Sequence, residues 1–156
     1  MIDMRMDGRC ALITGGSKGI GFAAAANFMR AGANVAIVAR RQNVLEEARE
    51  QLRREGKGKV AIIAADVSKA EDCTRIFETA EKELGQVDLL LNNAGTHQNG
   101  PFENATDAIW QADFDLKLFS AIRLSRAAFP KMKARKWGRI INTLNSGAKW
   151  PRHGSA

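Results

Sequence analysis

The feature that most constrains this chain is the run Thr14-Gly15-Gly16-Ser17-Lys18-Gly19-Ile20-Gly21. It stands between the apolar Cys10-Ala-Leu-Ile-Thr14 and an alanine-rich stretch from about Gly19 to Ala31. A short apolar run bounded by glycine reads as a buried strand, and the alanine-rich stretch reads as a helix stopped by Gly32. Glycine serves such a strand–turn–helix corner in two ways. Positive φ makes the turn tight, and the missing Cβ lets a phosphate group approach the backbone. The departing helix then offers free N–H groups and the positive end of its dipole to an anion. The spacing is not GxGxxG, because Ala24 stands where the third glycine would be. Nor is it a Walker A loop, because Lys18 precedes Gly19. Taken alone, the motif leaves a glycine-rich turn without a ligand as an open alternative.

The rest of the chain repeats the same rhythm. Strands are expected at Asn34 to Ala39, Lys59 to Ala65, Val87 to Leu91 and Arg139 to Thr143. Helices are expected from Asn43 to Glu55 and, opened by a Ser68-x-x-Glu71 capping box, to about Leu84. A long helix should run from about Thr106 to Ala134, with a kink at Pro130. Strands alternating with helices specify βαβ units and a parallel sheet. Strands without strict apolar alternation fit a sheet covered on both faces. The expected fold is an α/β, three-layer, doubly wound parallel sheet of the Rossmann type, in a single domain over residues 1–156.

Composition narrows the function classes. With 45% hydrophobic and 26% charged residues the 156-residue chain can build a soluble core. No uncharged stretch is long enough for a bilayer span, and the N-terminus lacks the apolar region of a signal peptide, so no membrane partner and a cytoplasmic location are expected. Cys10 and Cys73 lie in no metal-ligand or CxxC spacing, and no metal is expected. The net charge is +7, and between Arg123 and Arg139 stand seven basic residues and no acid. Such a run suits nucleic acid or a helix C-terminus that favours cations. No aromatic series interleaves it, so the second is preferred and no nucleic-acid partner is expected.

The second strand gives the glycine turn a ligand. In a dinucleotide fold that strand ends about 20 residues beyond the turn, where an acid holds the ribose hydroxyls of NAD. Here that place holds Arg40, with Arg41 next to it. A guanidinium there would chelate a 2′-phosphate, and Lys18 could add a second charge. NADP(H) is therefore expected ahead of NAD(H).

With these residues assembled, the chain resembles the short-chain dehydrogenase/reductase family. Thr14-Gly-x-x-x-Gly19-x-Gly21 matches that family's cofactor loop, and Asp66-Val67 its adenine-contacting pair. Asn92-Asn93-Ala94-Gly95 matches its second signature, and Gly138-Arg-Ile-Ile-Asn142 its fifth strand. The resemblance implies that Gly15, Ser17, Lys18, Gly19, Ile20 and Gly21 hold the pyrophosphate, while Asp66 and Val67 hold adenine. It also implies that Asn93, Ala94 and Gly95 line the cleft, and that Lys18, Arg40 and Arg41 mark an NADP user.

The departures concern chemistry. The resemblance puts the family's catalytic Tyr-x-x-x-Lys and its last strands beyond Ala156, and the chain holds no tyrosine. Lys117 stands where the family has its helix asparagine, Asn145 where it has its serine, and Ser146 one place later. Lys117, Asn145 and Ser146 are the candidate catalytic substitutes. The implied activity is hydride transfer between nicotinamide and a small-molecule alcohol or carbonyl substrate, with this chain alone inactive. The alternative is a non-catalytic NADP-binding protein. The family's helix pairing, with Phe114, Leu118 and Phe119 supplying apolar surface, implies a homodimer or homotetramer. His97 at the cleft mouth reads as ordinary loop surface, His153 has no role, and Trp150 beside Pro151 is a lesser candidate for the substrate pocket.

Overall fold

The computed structural model describes residues 5–96 and 101–145. Strands β1 (Cys10–Thr14), β2 (Asn34–Ala39), β3 (Val60–Ala64), β4 (Leu89–Asn92) and β5 (Arg139–Asn142) form one sheet in the order β3-β2-β1-β4-β5. Every neighbouring pair is parallel. The helices are α1 (Gly19–Arg30), α2 (Gln42–Leu52), α3 (Ala70–Leu84), α4 (Asp107–Phe114) and α5 (Ser120–Ala134). Parallel neighbours require crossovers, and right-handed crossovers from a central strand cover both faces of the sheet.

The two faces are read directly in the strand residues. Ala11, Ile13, Val35, Ile37, Leu89 and Leu91 pack with Ala25 and Met29 of α1 and Leu45 and Leu52 of α2. Their neighbours Cys10, Leu12, Ala36, Val38 and Leu90 pack on the other side with Ile76 and Phe77 of α3 and Leu124 and Met132 of α5. Both faces of β1 and β2 are thus buried, which is why these strands are apolar throughout. The outer strand β5 is largely exposed. The Rossmann-type doubly wound sheet expected from the sequence is the fold of the chain.

Three local expectations are corrected. The Ser68 capping box does not form: α3 begins at Ala70, its N-cap Lys69 makes no side-chain capping bond, and the Ser68 hydroxyl donates to Asp66 Oδ1 at 2.8 Å. The nearer carboxylate takes the hydroxyl. The long helix is not one α-helix, because Asp115–Phe119 form a π turn between α4 and α5. Pro130 lies inside α5, which runs on to Ala134. The second helix ends at Leu52, and a turn carries the chain on to Glu55, whose N–H donates to the Leu52 carbonyl.

The basic run is not one solvated face. Lys131 pairs with Glu81, Arg135 donates to the Val87 carbonyl at 2.8 Å, and Arg139 lies over the Trp137 ring. Lys131 and Lys133 do occupy the last turn of α5, where the helix dipole favours cations. Lys136, just beyond, has φ +55°, a left-handed conformation that side chains disfavour. Among the described residues no helix is long and apolar enough to cross a membrane, and no group of three or more His, Cys, Asp or Glu could hold a metal ion.

Candidate functional site

From β1 the chain winds outward to β2 and β3 on one side, and on the other side lie β4 and β5. The crevice opens where that winding reverses, at the C-terminal ends of β1 and β4. Those ends are Thr14 and Asn92.

The glycine corner is built by packing as well as by φ. Gly15 and Gly19 have φ of +63° and +56°. A Cβ on Gly21 would stand 2.3 Å from the Gly15 carbonyl oxygen and 2.6 Å from Asn93 Nδ2. One on Gly16 would stand 2.8 Å from the Ile37 side chain. Gly19, by contrast, faces open space. The loop therefore folds tightly on itself and on β4 while leaving its outer surface free for a group that needs close backbone approach. Lys18, the N-cap of α1, makes no side-chain capping bond, so it offers no acceptor of its own to the first-turn N–H groups.

Thr14 joins the corner to the exit of β4. Its hydroxyl oxygen accepts the N–H groups of Asn93 at 2.9 Å and Ala94 at 3.0 Å. Asn93 Nδ2 donates back to the carbonyls of Thr14 and Gly15 at 3.2 and 3.3 Å. Gly15 and the Asn93–Gly95 segment are thereby held as one unit.

On the β2–β3 side of this unit lies a cavity of about 200 Å³, lined by Gly15, Ser17, Arg40, Arg41, Asp66, Val67, Ala94 and Gly95, among others. Eight sequence-predicted site residues therefore meet in one place. Arg40 and Arg41 are exposed at its rim, and Asp66 is the sole acid in its wall among the described residues. The Asp66 carboxylate is oriented by the N–H and hydroxyl of Ser68, at 3.1 and 2.8 Å. The Asp66 backbone N–H donates to Asp72 Oδ2 at 2.7 Å, and Arg75 clamps the other oxygen of Asp72 at 2.8 Å. These contacts hold the Asp72 carboxyl below its usual pKa, the backbone hydrogen bond being the larger cause and Arg75 the next. Behind Val67, the buried Cys73 thiol donates to the Val67 carbonyl at 3.2 Å, and burial pushes that thiol's pKa up.

On the β4–β5 side, an open trough of about 970 Å³ shares Ala94, Gly95 and Thr96 with the cavity. It brings together Ile20, Asn93, Lys117 and Asn145, and so joins two of the candidate catalytic residues to the cleft. Lys117, in the π turn, donates from Nζ to Asp113 Oδ1 at 2.7 Å with its side chain 43% exposed. The floor is polar: Asn92 Nδ2 donates to Asn142 Oδ1 at 2.9 Å. Asn92 Oδ1 is buried without a hydrogen-bond partner among the described residues.

Lys18, Gly19 and Gly21 line neither space. Lys18 and Gly19 are exposed on the outside of the corner, and Gly21 is buried beneath it. Ser146, His97, Trp150 and His153 lie outside the described residues. Sequence reasoning did not single out Thr14 as the tie to β4, Leu116 as a wall of the cavity, or the Asp72–Arg75 brace. Thr14 stood in the quoted motif, but its partners lie 79 and 80 residues away. Asp72 and Arg75 have the spacing of an ordinary helix-surface pair, so nothing in the sequence set them apart.

Comparison with known proteins agrees with this geometry. A family model described as short chain dehydrogenase matches residues 9–155. An uncharacterized oxidoreductase, YvrD, of Bacillus subtilis is 36% identical over 150 residues, which cover 96% of this chain and 56% of that protein. 11-beta-hydroxysteroid dehydrogenase 1A of Arabidopsis thaliana is 39% identical over 144 residues, 92% of this chain and 41% of that protein. The structure of L-sorbose reductase from Gluconobacter frateurii, complexed with NADPH and L-sorbose, superimposes with a TM-score of 0.93 at 36% identity. That match covers 99% of this chain and 59% of the reductase chain. The chain thus spans about half the length of the curated relatives it matches.

Proposed function

The chain belongs to the short chain dehydrogenase family, and we propose that it forms the NADP(H)-binding part of an oxidoreductase acting on a small-molecule alcohol or carbonyl substrate. The observation that carries this reading is the pair Arg40 and Arg41 at the end of β2, on the rim of a cavity whose single acid among the described residues is Asp66. A carboxylate at that strand end would repel a 2′-phosphate, whereas two exposed guanidinium groups attract one. L-sorbose reductase, whose structure superimposes on this chain, is complexed with NADPH.

Gly15, Ser17, Gly19, Ile20 and the N-terminus of α1 would receive the pyrophosphate, with Gly21 keeping the corner closed beneath it and Lys18 adding charge from outside. Asp66 would accept a hydrogen bond from adenine while Val67 packs on the ring. Asn93, Ala94 and Gly95 would carry the cofactor from the cavity into the trough. When bound, the cofactor would supply a hydride to a carbonyl or accept one from an alcohol. On the chain's side, the ammonium of Lys117 and the side-chain amide of Asn145 are donors for an oxygen that gains negative charge, and Ser146 is a third candidate. Exposed Phe114, Leu118 and Phe119 supply the surface for a homodimer or homotetramer.

A second reading, an NADP-binding protein without catalysis, is favoured by the Lys117–Asp113 ion pair. Lys117 Nζ is already engaged by Asp113, and the amide of Asn145 cannot deliver a proton. Calorimetric titration tests the main reading. NADP(H) should bind at least about tenfold more tightly than NAD(H), about 1.4 kcal/mol, and Arg40→Asp should reverse the order. Equal affinities would refute it.

A further inference from the structure

Arg123 belongs to the basic run, yet its surroundings give it a different part. It sits in the first turn of α5 with its side chain 26% exposed. From there Nη1 donates to the Ser68 carbonyl at 3.0 Å. Nη2 lies 3.5 Å from Asp115 Oδ1, and the guanidinium carbon lies 5.4 Å from the centre of the Phe119 ring. These partners are not scattered. Ser68 is the residue whose N–H and hydroxyl orient the Asp66 carboxylate. Asp115 and Phe119 are the two ends of the π turn, which contains Leu116, a wall of the same cavity, and Lys117.

We propose that Arg123 is a positioning residue for the adenine half of the bound cofactor, holding the Asp66–Ser68 wall and the π turn at a fixed distance across the cavity. The inference rests on the nucleotide-binding reading above. A π turn is a local irregularity with fewer well-aligned backbone bonds than an α-helix, and such turns recur at functional sites. Within the fold the Ser120 hydroxyl closes it on the Leu116 carbonyl at 2.6 Å, and Arg123 fixes its outer side. A planar guanidinium can serve a carbonyl and a carboxylate at once while its face meets an aromatic ring. A lysine ammonium cannot match that geometry. Because one side chain joins the residue that orients Asp66 to both ends of the turn that carries Leu116, filling the cavity from the Asp66 side should stiffen the π turn on the other.

The test uses adenosine 2′,5′-bisphosphate and NADPH as probes, with binding followed by calorimetry and amide hydrogen exchange. In the wild type, the bisphosphate should slow exchange of the amides of residues 115–119. Arg123→Met keeps the aliphatic stem and removes both polar contacts. It should bind both probes at least about tenfold more weakly and show no ligand-dependent slowing at 115–119, with its helical circular dichroism unchanged. Asp115→Asn, which removes the carboxylate charge facing Arg123, should give a smaller loss of affinity and partial slowing. Should Arg123→Met fail to fold, Arg123→Lys and Asp115→Asn carry the test in its place. Binding within about twofold of wild type, or full slowing retained in the variants, would overturn the proposal. A wild type that binds neither probe would instead refute the cofactor reading itself.

Discussion

The hydroxyl oxygen of Thr14 lies 2.9 Å from the amide nitrogen of Asn93, so the last residue of β1 caps the chain as it leaves β4. The tie is mutual, since Asn93 Nδ2 returns a hydrogen bond to the Thr14 carbonyl. Thr14 is 2% exposed, and water has little access to replace what it provides. Thr14→Val keeps the shape and removes the acceptor, leaving the N–H groups of Asn93 and Ala94 unsatisfied. Each such group costs about 1–3 kcal/mol. With two groups affected, the variant should lose about 2–6 kcal/mol in urea unfolding, whereas Thr14→Ser should stay near wild type. Equal midpoints for wild type and Thr14→Val would show that the tie contributes nothing.

Gly21 separates packing from backbone conformation. Its φ is ordinary for any residue, yet an added Cβ would strike the Gly15 carbonyl and Asn93. Gly21→Ala should therefore push the glycine corner off β4 and reduce NADPH affinity by more than about tenfold, the equivalent of about 1.4 kcal/mol. Gly19→Ala meets no atom and should cost only the left-handed backbone strain of about 1–2 kcal/mol. Calorimetry and thermal unfolding on both variants separate the two effects. A Gly21→Ala protein that binds like wild type would contradict the packing argument.

Lys136 offers the reverse experiment. It holds φ +55° without being glycine, in the connection from α5 to β5. Lys136→Gly should relieve that conformation and stabilise the chain by about 1 kcal/mol, less the extra entropy glycine has when unfolded. A lower unfolding midpoint in denaturant would mean that side-chain contacts of Lys136 outweigh its backbone strain.

Chemistry is tested at Lys117. The 156-residue chain should show no substrate-dependent oxidation of NADPH across a panel of ketones, aldehydes and quinones. Among the described residues, Lys117 is the one lysine lining the trough, and its Nζ is engaged by Asp113. Turnover abolished by Lys117→Ala would reverse this conclusion and identify Lys117 as the donor.

Much of this was legible from residue order alone. β1, the glycine corner, β2 and Arg40 stand close together in the chain, and their signals are local: apolar runs, glycine, and charge at a strand end. Asp66–Val67 and Asn93–Gly95 were found through family resemblance, not through local physics. The features that escaped were set by distance or by competition. The Thr14–Asn93 tie exists only because β1 and β4 are neighbours in the sheet. Ser68 had the spacing of a capping box, but a carboxylate two residues away claimed its hydroxyl. The π turn at Asp115–Phe119 replaces a regular stretch of helix, and no residue type announces it as Pro130 announced a kink. Arg123 was counted with the cations of a solvated helix end because its partners, the Ser68 carbonyl and Asp115, are visible only in three dimensions.

The strand order β3-β2-β1-β4-β5 divides labour across the sheet. The half that would recognise a nucleotide rests on β1 and β2, which are buried on both faces and tolerate little change. The half that would carry out a reaction lies beside β5, largely exposed, and on a π turn outside the main core. Evolution can therefore rewrite the reactive half without dismantling the recognising half. Lys117 and Asn145 both stand on that exposed side, where a substitution disturbs little of the buried sheet.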